Sequence, residues 1–482
     1  MSLLTEHRVK TVPATFRASW FRSFISSLTK PVSAAPFVTF RIVFGALMAF
    51  SAVRFMTLGW IEDHYVQPVF HFKYYGFAWV PVLPAFWLYV VHVVMIISAL
   101  CVMAGFRYRL AAILLFLTFT YTELIDLTYY LNHYYFVSLV CFLLILLPAS
   151  PNPLPWRGLS NSPSTGGGWG EAGFVPAWVV LMFKLQLAIV YTYAGLAKIN
   201  YDWLINALPL KIWIPANDSW PLIGGVFRWK ATPYVFAWIG MIYDCTIVFW
   251  LSWRKTRLLA YASVIIFHVL TGLMFQIGVF PLVMIGATLI FFSNEWHEQV
   301  LNLANGLGKM PVFNKLKSHS KTTQEKSYIQ PFNHSTILLF LAFFFLFQLL
   351  FPWRYLLYPG NLFWTEEGYR FSWRVMLMEK AGTATFYVKD SRTGREGEVV
   401  NSEFLNAHQE KQMAMQPDMI LQYAHFLADE YEKRGLHKPQ VRAEVYVTLN
   451  AQPSRLLIDP NVDLAQIKDG WEHKTWILPD TD

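Results

Sequence analysis

The chain has 482 residues, 55% of them hydrophobic and only 15% charged, and its mean hydropathy is +0.35. Soluble globular chains carry about 25% charge, so the composition excludes an ordinary soluble domain and points to a membrane protein. A formal charge of +8 does not imply nucleic acid as a partner, because the positive residues gather on one side of the topology derived below.

The first 30 residues hold Arg8, Lys10, Arg17, Arg22 and Lys30 but no apolar core. A cleavable signal peptide is therefore not expected, and the first spanning helix takes over targeting. A spanning helix needs about 20 mostly apolar residues. Nine stretches approach this: 37–58, 84–106, 110–127, 132–148, 175–199, 233–253, 258–275, 278–292 and 335–351. With the N-terminus inside, the inner segments hold the N-terminal basics, Arg107, Arg109, Arg157, Arg254, Lys255, Arg257 and the lysines from Lys309 to Lys326. The outer loops hold Lys73, Lys211, Arg228 and Lys230 beside Glu62, Asp63, Asp202 and Asp218. This is the positive-inside pattern, with the C-terminus outside. The glycine-rich Ser164–Glu171 loop lacks the strand and the GK[ST] of a phosphate loop and reads as a linker. Cys101, Cys141 and Cys245 are scattered in apolar segments and form no metal or redox motif.

After Phe351 the charge rises. A hairpin pattern surrounds "SRTGRE", and Met419, Tyr423, Phe426, Leu427 and Tyr431 have helical spacing that stops at Gly435. Val441, Ala443, Val445, Val447 and Leu449 alternate as in a half-buried strand. The expected fold is a polytopic α-helical membrane protein of about nine transmembrane helices with a small C-terminal α+β extracytoplasmic domain. Its parts are a cytoplasmic segment 1–36, a membrane domain 37–351 and an outer domain 352–482.

Ionisable groups inside spans cost a few kcal/mol each and need a partner or a purpose. Lys184 and Asp244 lie at similar depth by helical rise, and a structural ion pair between them is expected. A second set falls in the outer half: Lys198, His133, Glu123, His92 and His268, with Tyr191 and Tyr193 on the helix that carries Lys198. Depth alone allows them one pocket. It equally allows Lys198 to snorkel to the interface, Glu123 to sit in water, and each histidine to make a single helix–helix hydrogen bond.

"YTYAGLAKINYDWL" (191–204) resembles the core motif of the vitamin K-dependent γ-glutamyl carboxylase family, with Ala194, Gly195, Lys198, Asp202 and Trp203 in the family's places. "NHYYFVSLV" from Asn132, "YDCTIVF" around Asp244, "FHVLTGLMFQIGVFP" around His268, "WTEEGYRFSWRVML" (364–377) and "IDPNVDL" (458–464) are similar to further family blocks, in order along the chain. Val375 stands where relatives often carry methionine, and animal members continue into a further luminal segment, so the resemblance does not extend to recognition of a client propeptide.

The resemblance implies a bacterial-type homologue with an HTTM-type membrane domain that carboxylates protein glutamate. Reduced vitamin K would be the cofactor, O2 and CO2 the co-substrates, and no metal is called for. The quinone would leave as its epoxide, and a quinone reductase would resupply hydroquinone. Partners would be a glutamate-containing protein or peptide and the lipid bilayer. Lys198 would be the base, which it can be only as a free amine in an apolar setting. His133 or His268 would stabilise the oxyanion, while His92, Tyr191, Tyr193 and Glu123 would surround the quinone. Glu366, Glu367, Tyr369, Trp373 and Arg374 would handle the glutamate substrate; a solvated turn is the plainer expectation for the two glutamates. A quinol epoxidase, a carboxylase of another acid, and a transporter or membrane scaffold are the competing readings.

Overall fold

The computed structural model describes residues 23–147, 173–221, 223–275, 277–307 and 334–480. The basic residues up to Arg22, Arg157 with the glycine-rich loop, and the lysines from Lys309 to Lys326 lie outside the described residues.

A two-stranded antiparallel ribbon, β1 (Pro31–Ser33) with β2 (Phe174–Pro176), ties the segment entering the first helix to the one entering the fifth. The apolar stretches form α1 (Ala35–Thr57), α2 (Ala85–Ala104), α3 (Tyr108–Ile125), α4 (Asn132–Ile145), α5 (Ala177–Ala197), α6 (Thr232–Ser252), α7 (Arg257–Met274) and α8 (Phe280–Thr288). An amphipathic α9 (Asn294–Leu307) and α10 (His334–Leu350) follow. Among the described residues seven helices are long and apolar enough to cross a membrane: α1, α2, α3, α5, α6, α7 and α10 with its 3-10 continuation to Leu357. The two remaining stretches are shorter than expected. The 14 residues of α4 rise about 21 Å against a hydrocarbon core of about 30 Å. That helix stops at Ile145, shortly before Pro148, which cannot donate to the ladder. α8 opens at Pro281 and tightens into a 3-10 turn at Leu289–Phe291.

The outer domain is a four-stranded antiparallel sheet in the order β4 (Glu396–Glu398), β3 (Lys380–Lys389), β5 (Gln440–Leu449), β6 (Arg455–Leu456). β3 and β5 pair over their whole length, from Lys380↔Leu449 to Lys389↔Gln440. The expected alternation holds, because Val441, Ala443, Val445, Val447 and Leu449 are all buried. They pack with Phe386 and Val388 and with Met419, Tyr423 and Leu427 of α12 (Pro417–Lys433), which follows the short α11 (Ala407–Met413). The same core contains Trp203, Leu210, Ile214, Phe227 and Ala237. The connection from α5 to α6 and the first turns of α6 thus belong to the outer layer, and this sets how far α6 is pushed outward.

Candidate active site

The motif at 191–204 closes α5 against α6. A Cβ at Gly195 would lie 2.6 Å from Cys245 Sγ, 2.7 Å from Cys245 N and 3.0 Å from Asp244 C, so only glycine permits this crossing. One turn on, Lys198 caps the helix and runs its side chain back along it. Nζ donates to Asp244 Oδ2 at 2.7 Å and to Ala194 O at 3.1 Å. The Trp203 ring lies 5.5 Å from the ammonium, and its indole N–H is tied to Ala237 O at 3.0 Å. Asn200 caps the short Tyr201–Leu204 helix that carries Trp203, and Asp202 accepts from Asn450 of the outer domain at 3.1 Å. Lys198 is 6% exposed, so it is enclosed rather than snorkelled. The expected Lys184–Asp244 pair does not form. Asp244 is taken by Lys198, and Lys184 Nζ stands 5.6 Å from the centroid of the Phe291 ring.

Beside this pair, the Tyr191 hydroxyl and His268 Nε2 are hydrogen-bonded at 2.9 Å, both buried. Tyr193 faces elsewhere: it donates to Leu349 O and accepts from Trp353 Nε1 at 2.8 Å. The Phe280 ring packs edge-on to His268 and roughly parallel to His133, at 5.8 and 5.0 Å. His133 in turn lines a large cavity.

That cavity, of about 990 Å³, lies between α1–α4, the 277–279 turn and α11 of the outer domain. His92, Glu123 and His133 all line it. The Glu123 carboxylate has no hydrogen-bond or ion-pair partner among the described residues. Around the rim, His92 stacks on Phe55 (5.2 Å), His64 on Tyr129 (3.9 Å) and Tyr129 on His408 (4.6 Å). Burial, and then His408, push His64 down to about 4, so its imidazole is neutral at neutral pH, and Nδ1 is buried without a hydrogen-bond partner. Burial raises the Tyr129 phenol to about 12. The outer domain is latched beside the cavity by Asp126, 1% exposed, which accepts from Thr128 N and Oγ1 (2.9 and 2.7 Å) and Gln409 Nε2 (2.7 Å) and bonds His71 Nδ1 (3.1 Å).

The 364–377 segment lies over two smaller pockets, of about 450 and 380 Å³. The first is lined by Tyr193, Leu196, Ala197, Ile199 and Asn200, on either side of Lys198 along the chain, and by Glu367 and Arg374. The second adjoins the large cavity, with which it shares Glu123 and Tyr130. Glu366 is paired with Lys380 (2.8 Å), while Glu367 is paired with His473 (2.9 Å) and accepts from Lys474 N (2.8 Å). Arg370 pairs with Asp418 on α12. Trp373, 1% exposed, stacks on Tyr135 at 4.9 Å, and the Arg374 guanidinium covers the Tyr355 ring at 4.3 Å.

The HTTM domain family matches residues 29–296, and the lumenal domain of the vitamin K-dependent gamma-carboxylase matches residues 333–482. The chain belongs to the gamma-glutamyl carboxylase family. It is an integral membrane protein of that family, and no solved structure matches it.

Against the sequence expectations, the fold does not gather these residues into one pocket. His92, Glu123 and His133 share the large cavity. Tyr191 is bonded to His268, which packs on Phe280, Lys198 is paired with Asp244, and Tyr193 lines the 450 Å³ pocket. The solvated-turn expectation fails, since both glutamate side chains are buried, at 9% and 3% exposure, Glu366 in an ion pair with Lys380 and Glu367 in hydrogen bonds with His473 and Lys474 N. Tyr369 lines the 380 Å³ pocket and Arg374 the 450 Å³ pocket, whereas Trp373 is packed into the bundle. Sequence reasoning missed Arg54, His64, Tyr129 and His408 as cavity residues. The signal for Arg54 was available, as a basic residue in the last turn of the first span. His64 and His408 are separated by most of the chain, and only the fold brings them together.

Proposed function

We propose that the chain carries out vitamin K hydroquinone-dependent γ-carboxylation of glutamate in a protein or peptide, using O2 and CO2 and releasing quinone epoxide. The family membership supports the cofactor and the substrate class. The observation that carries the reading is the two-domain cavity. Its walls come from the helical bundle and from the outer domain, and it shares Glu123 and Tyr130 with a pocket of the 364–377 segment. A quinol in the cavity and a peptide in the pocket would meet at that shared wall. At about 990 Å³ the cavity is at the upper end of the range for small-molecule sites, roughly 300–1,000 Å³.

In this reaction the reduced quinone and O2 together supply the strong base that removes the glutamate γ-proton. The chain's residues have to start that process, hold the reactants and keep water out. Lys198 is the amine that receives the first phenolic proton, and its enclosure by Trp203 and the α5–α6 crossing supports this role. His133, on the cavity wall, and His268, packed on Phe280, orient and stabilise the oxyanion. His92, Tyr191 and Glu123 fix the quinol environment. Arg374 holds a substrate carboxylate, with Tyr369 beside the peptide path. The outer domain faces away from the cytoplasm and the N-terminus lies inside, and a membrane quinone reductase supplies the hydroquinone.

The test is turnover by the purified protein in lipid nanodiscs with reduced vitamin K, O2, labelled bicarbonate and a glutamate peptide. Epoxide and fixed label should appear together, and both should vanish in Lys198→Met while the fold is retained. Epoxide without fixed label would replace this reading with a quinol epoxidase. Substrate flux in proteoliposomes with no oxygen uptake would replace it with a transporter.

A further inference from the structure

Lys198 can accept a proton only if it has somewhere to put the one it already holds. Among the described residues it has one anionic neighbour. Asp244 Oδ2 is 2.7 Å from Nζ, and both side chains are enclosed, at 6% and 8% exposure. Nothing else on α6 explains a carboxylate at this depth, since Lys184 is not its partner. The crossing is also built around the contact. Gly195 lets the backbone of Asp244 and Cys245 come within touching distance, and Trp203, fixed to Ala237 O, closes the outer side. A pair that only balanced charge would not need its amine in the motif's terminal turn, beside the pocket residues Ala197, Ile199 and Asn200.

We propose that Asp244 is the positioning residue and final proton acceptor behind Lys198, with the lysine acting as a relay. The reading rests on Lys198 being the base. In the resting pair Lys198 is an ammonium and Asp244 a carboxylate. An Nζ proton crosses the 2.7 Å hydrogen bond to Asp244 Oδ2, which frees the amine lone pair, and Nζ then takes the quinol proton as the O–H bond breaks. The products are a quinolate anion, an unchanged ammonium and a neutral carboxylic acid. Protons and charge balance, and no oxidant is consumed. The proton returns by the same path when a protonated product leaves.

Three variants and one spectroscopic measurement test this. Asp244→Asn keeps size and hydrogen bonding to Nζ but cannot take a proton; it should lose on the order of a hundredfold or more in epoxide formation while melting near the wild type. Asp244→Glu should recover much of the rate. Without oxygen, adding hydroquinone to protein carrying isotope-labelled aspartate should produce a carboxylic-acid infrared band. That band should be absent in Asp244→Asn and in Lys198→Met. A charge-balancing role would also slow Asp244→Asn, but it produces no hydroquinone-induced acid band in the wild type, so the band is the readout that separates the two. Folded Asp244→Asn at the wild-type rate, or no acid band in the wild type, would overturn the Asp244 assignment alone. Retained turnover in Lys198→Met would overturn the base reading and this inference with it. If Asp244→Asn does not fold, the wild-type band and its loss in Lys198→Met decide the matter.

Discussion

The α5–α6 crossing can be tested with a single methyl group and a matched control. In Gly195→Ala the new Cβ meets Cys245 N at 2.7 Å and Asp244 C at 3.0 Å, both backbone atoms that cannot rotate away. An ordinary Cβ contact begins near 3.4 Å, so the helices must part by about 0.7 Å at this point. Overpacking of this kind costs about 1–3 kcal/mol. Replacing a helical glycine returns about 1 kcal/mol of propensity, which leaves a net loss of between about 0 and 2 kcal/mol. Gly240, little more than one turn away on α6, has nothing within 4 Å of its Cβ position. Gly240→Ala should therefore show only the propensity gain, from neutral to about 1 kcal/mol more stable. The assay is apparent unfolding of both variants in one detergent, side by side with the parent. The same separation lengthens the Lys198–Asp244 hydrogen bond, so quinol turnover in Gly195→Ala should fall roughly ten- to hundredfold, with none lost in Gly240→Ala. A Gly195→Ala protein as stable and active as Gly240→Ala would refute the crossing and the register that joins Lys198 to Asp244.

Lys184→Met should leave turnover unchanged and stability equal or slightly higher, because it removes a cation held over Phe291 and keeps the apolar stem; a hundredfold loss of activity would restore Lys184 to the site. Asp126→Ala strands the Gln409 amide and both Thr128 donors at a buried point, at about 1–3 kcal/mol for each group left unsatisfied. It should expose the junction of the two domains to limited proteolysis before the bundle unfolds, and unchanged cleavage kinetics would argue against the latch. Asp390 accepts backbone N–H groups of His437, Thr393 and Arg392 at the β3–β4 turn, and these, His437 first, hold its carboxyl down at about 2. Because the folded value lies below the unfolded one, near 3.9, its contribution is present above pH 4 and lost as pH falls toward 2. Asp390→Asn should flatten the acid limb of outer-domain unfolding in that window, and an unchanged limb would count against the assignment.

The helices and the outer sheet were legible because burial writes itself into spacing. The nine apolar stretches each became a helix, and β5 kept its alternation residue for residue. The pairing of charges was not legible, for one physical reason. The depth argument measured Lys184 and Asp244 from inner helix ends taken as level. α6 is not level with α5. Its first turns are buried in the outer core, with Ala237 bonded to the Trp203 indole, so the helix is displaced outward. The Gly195 contact then fixes Asp244 opposite the last turns of α5, where Lys198 reaches it. The composition of the α5–α6 connection, with its apolar Trp203, Leu210 and Ile214, carried a sign that this loop was not a surface loop.

The 364–377 segment shows a second limit of the same kind. Its residues were recognisable as a block, but their roles depend on a backbone that leaves the common conformations five times in eleven residues. Glu366, Gly368, Phe371, Trp373 and Met376 all have φ between 53° and 84°. Only one of these is glycine, so the left-handed turns are imposed by surroundings rather than by local preference. The surroundings are identifiable: Lys380 on Glu366, Tyr355 against Gly368, the Tyr130 hydroxyl on Phe371 N, and Tyr135 under Trp373. Tyr130 and Tyr135 belong to the bundle, and Tyr355 to the turn that leaves it, so the membrane domain shapes the loop that would present the peptide. A change in the α3–α4 connection would therefore reach the outer pocket directly through Tyr130, which also lines the large cavity. For the proposed reaction, which would bring a membrane-borne quinol and an aqueous glutamate together, that shared side chain is where loss of one substrate's fit would be felt by the other.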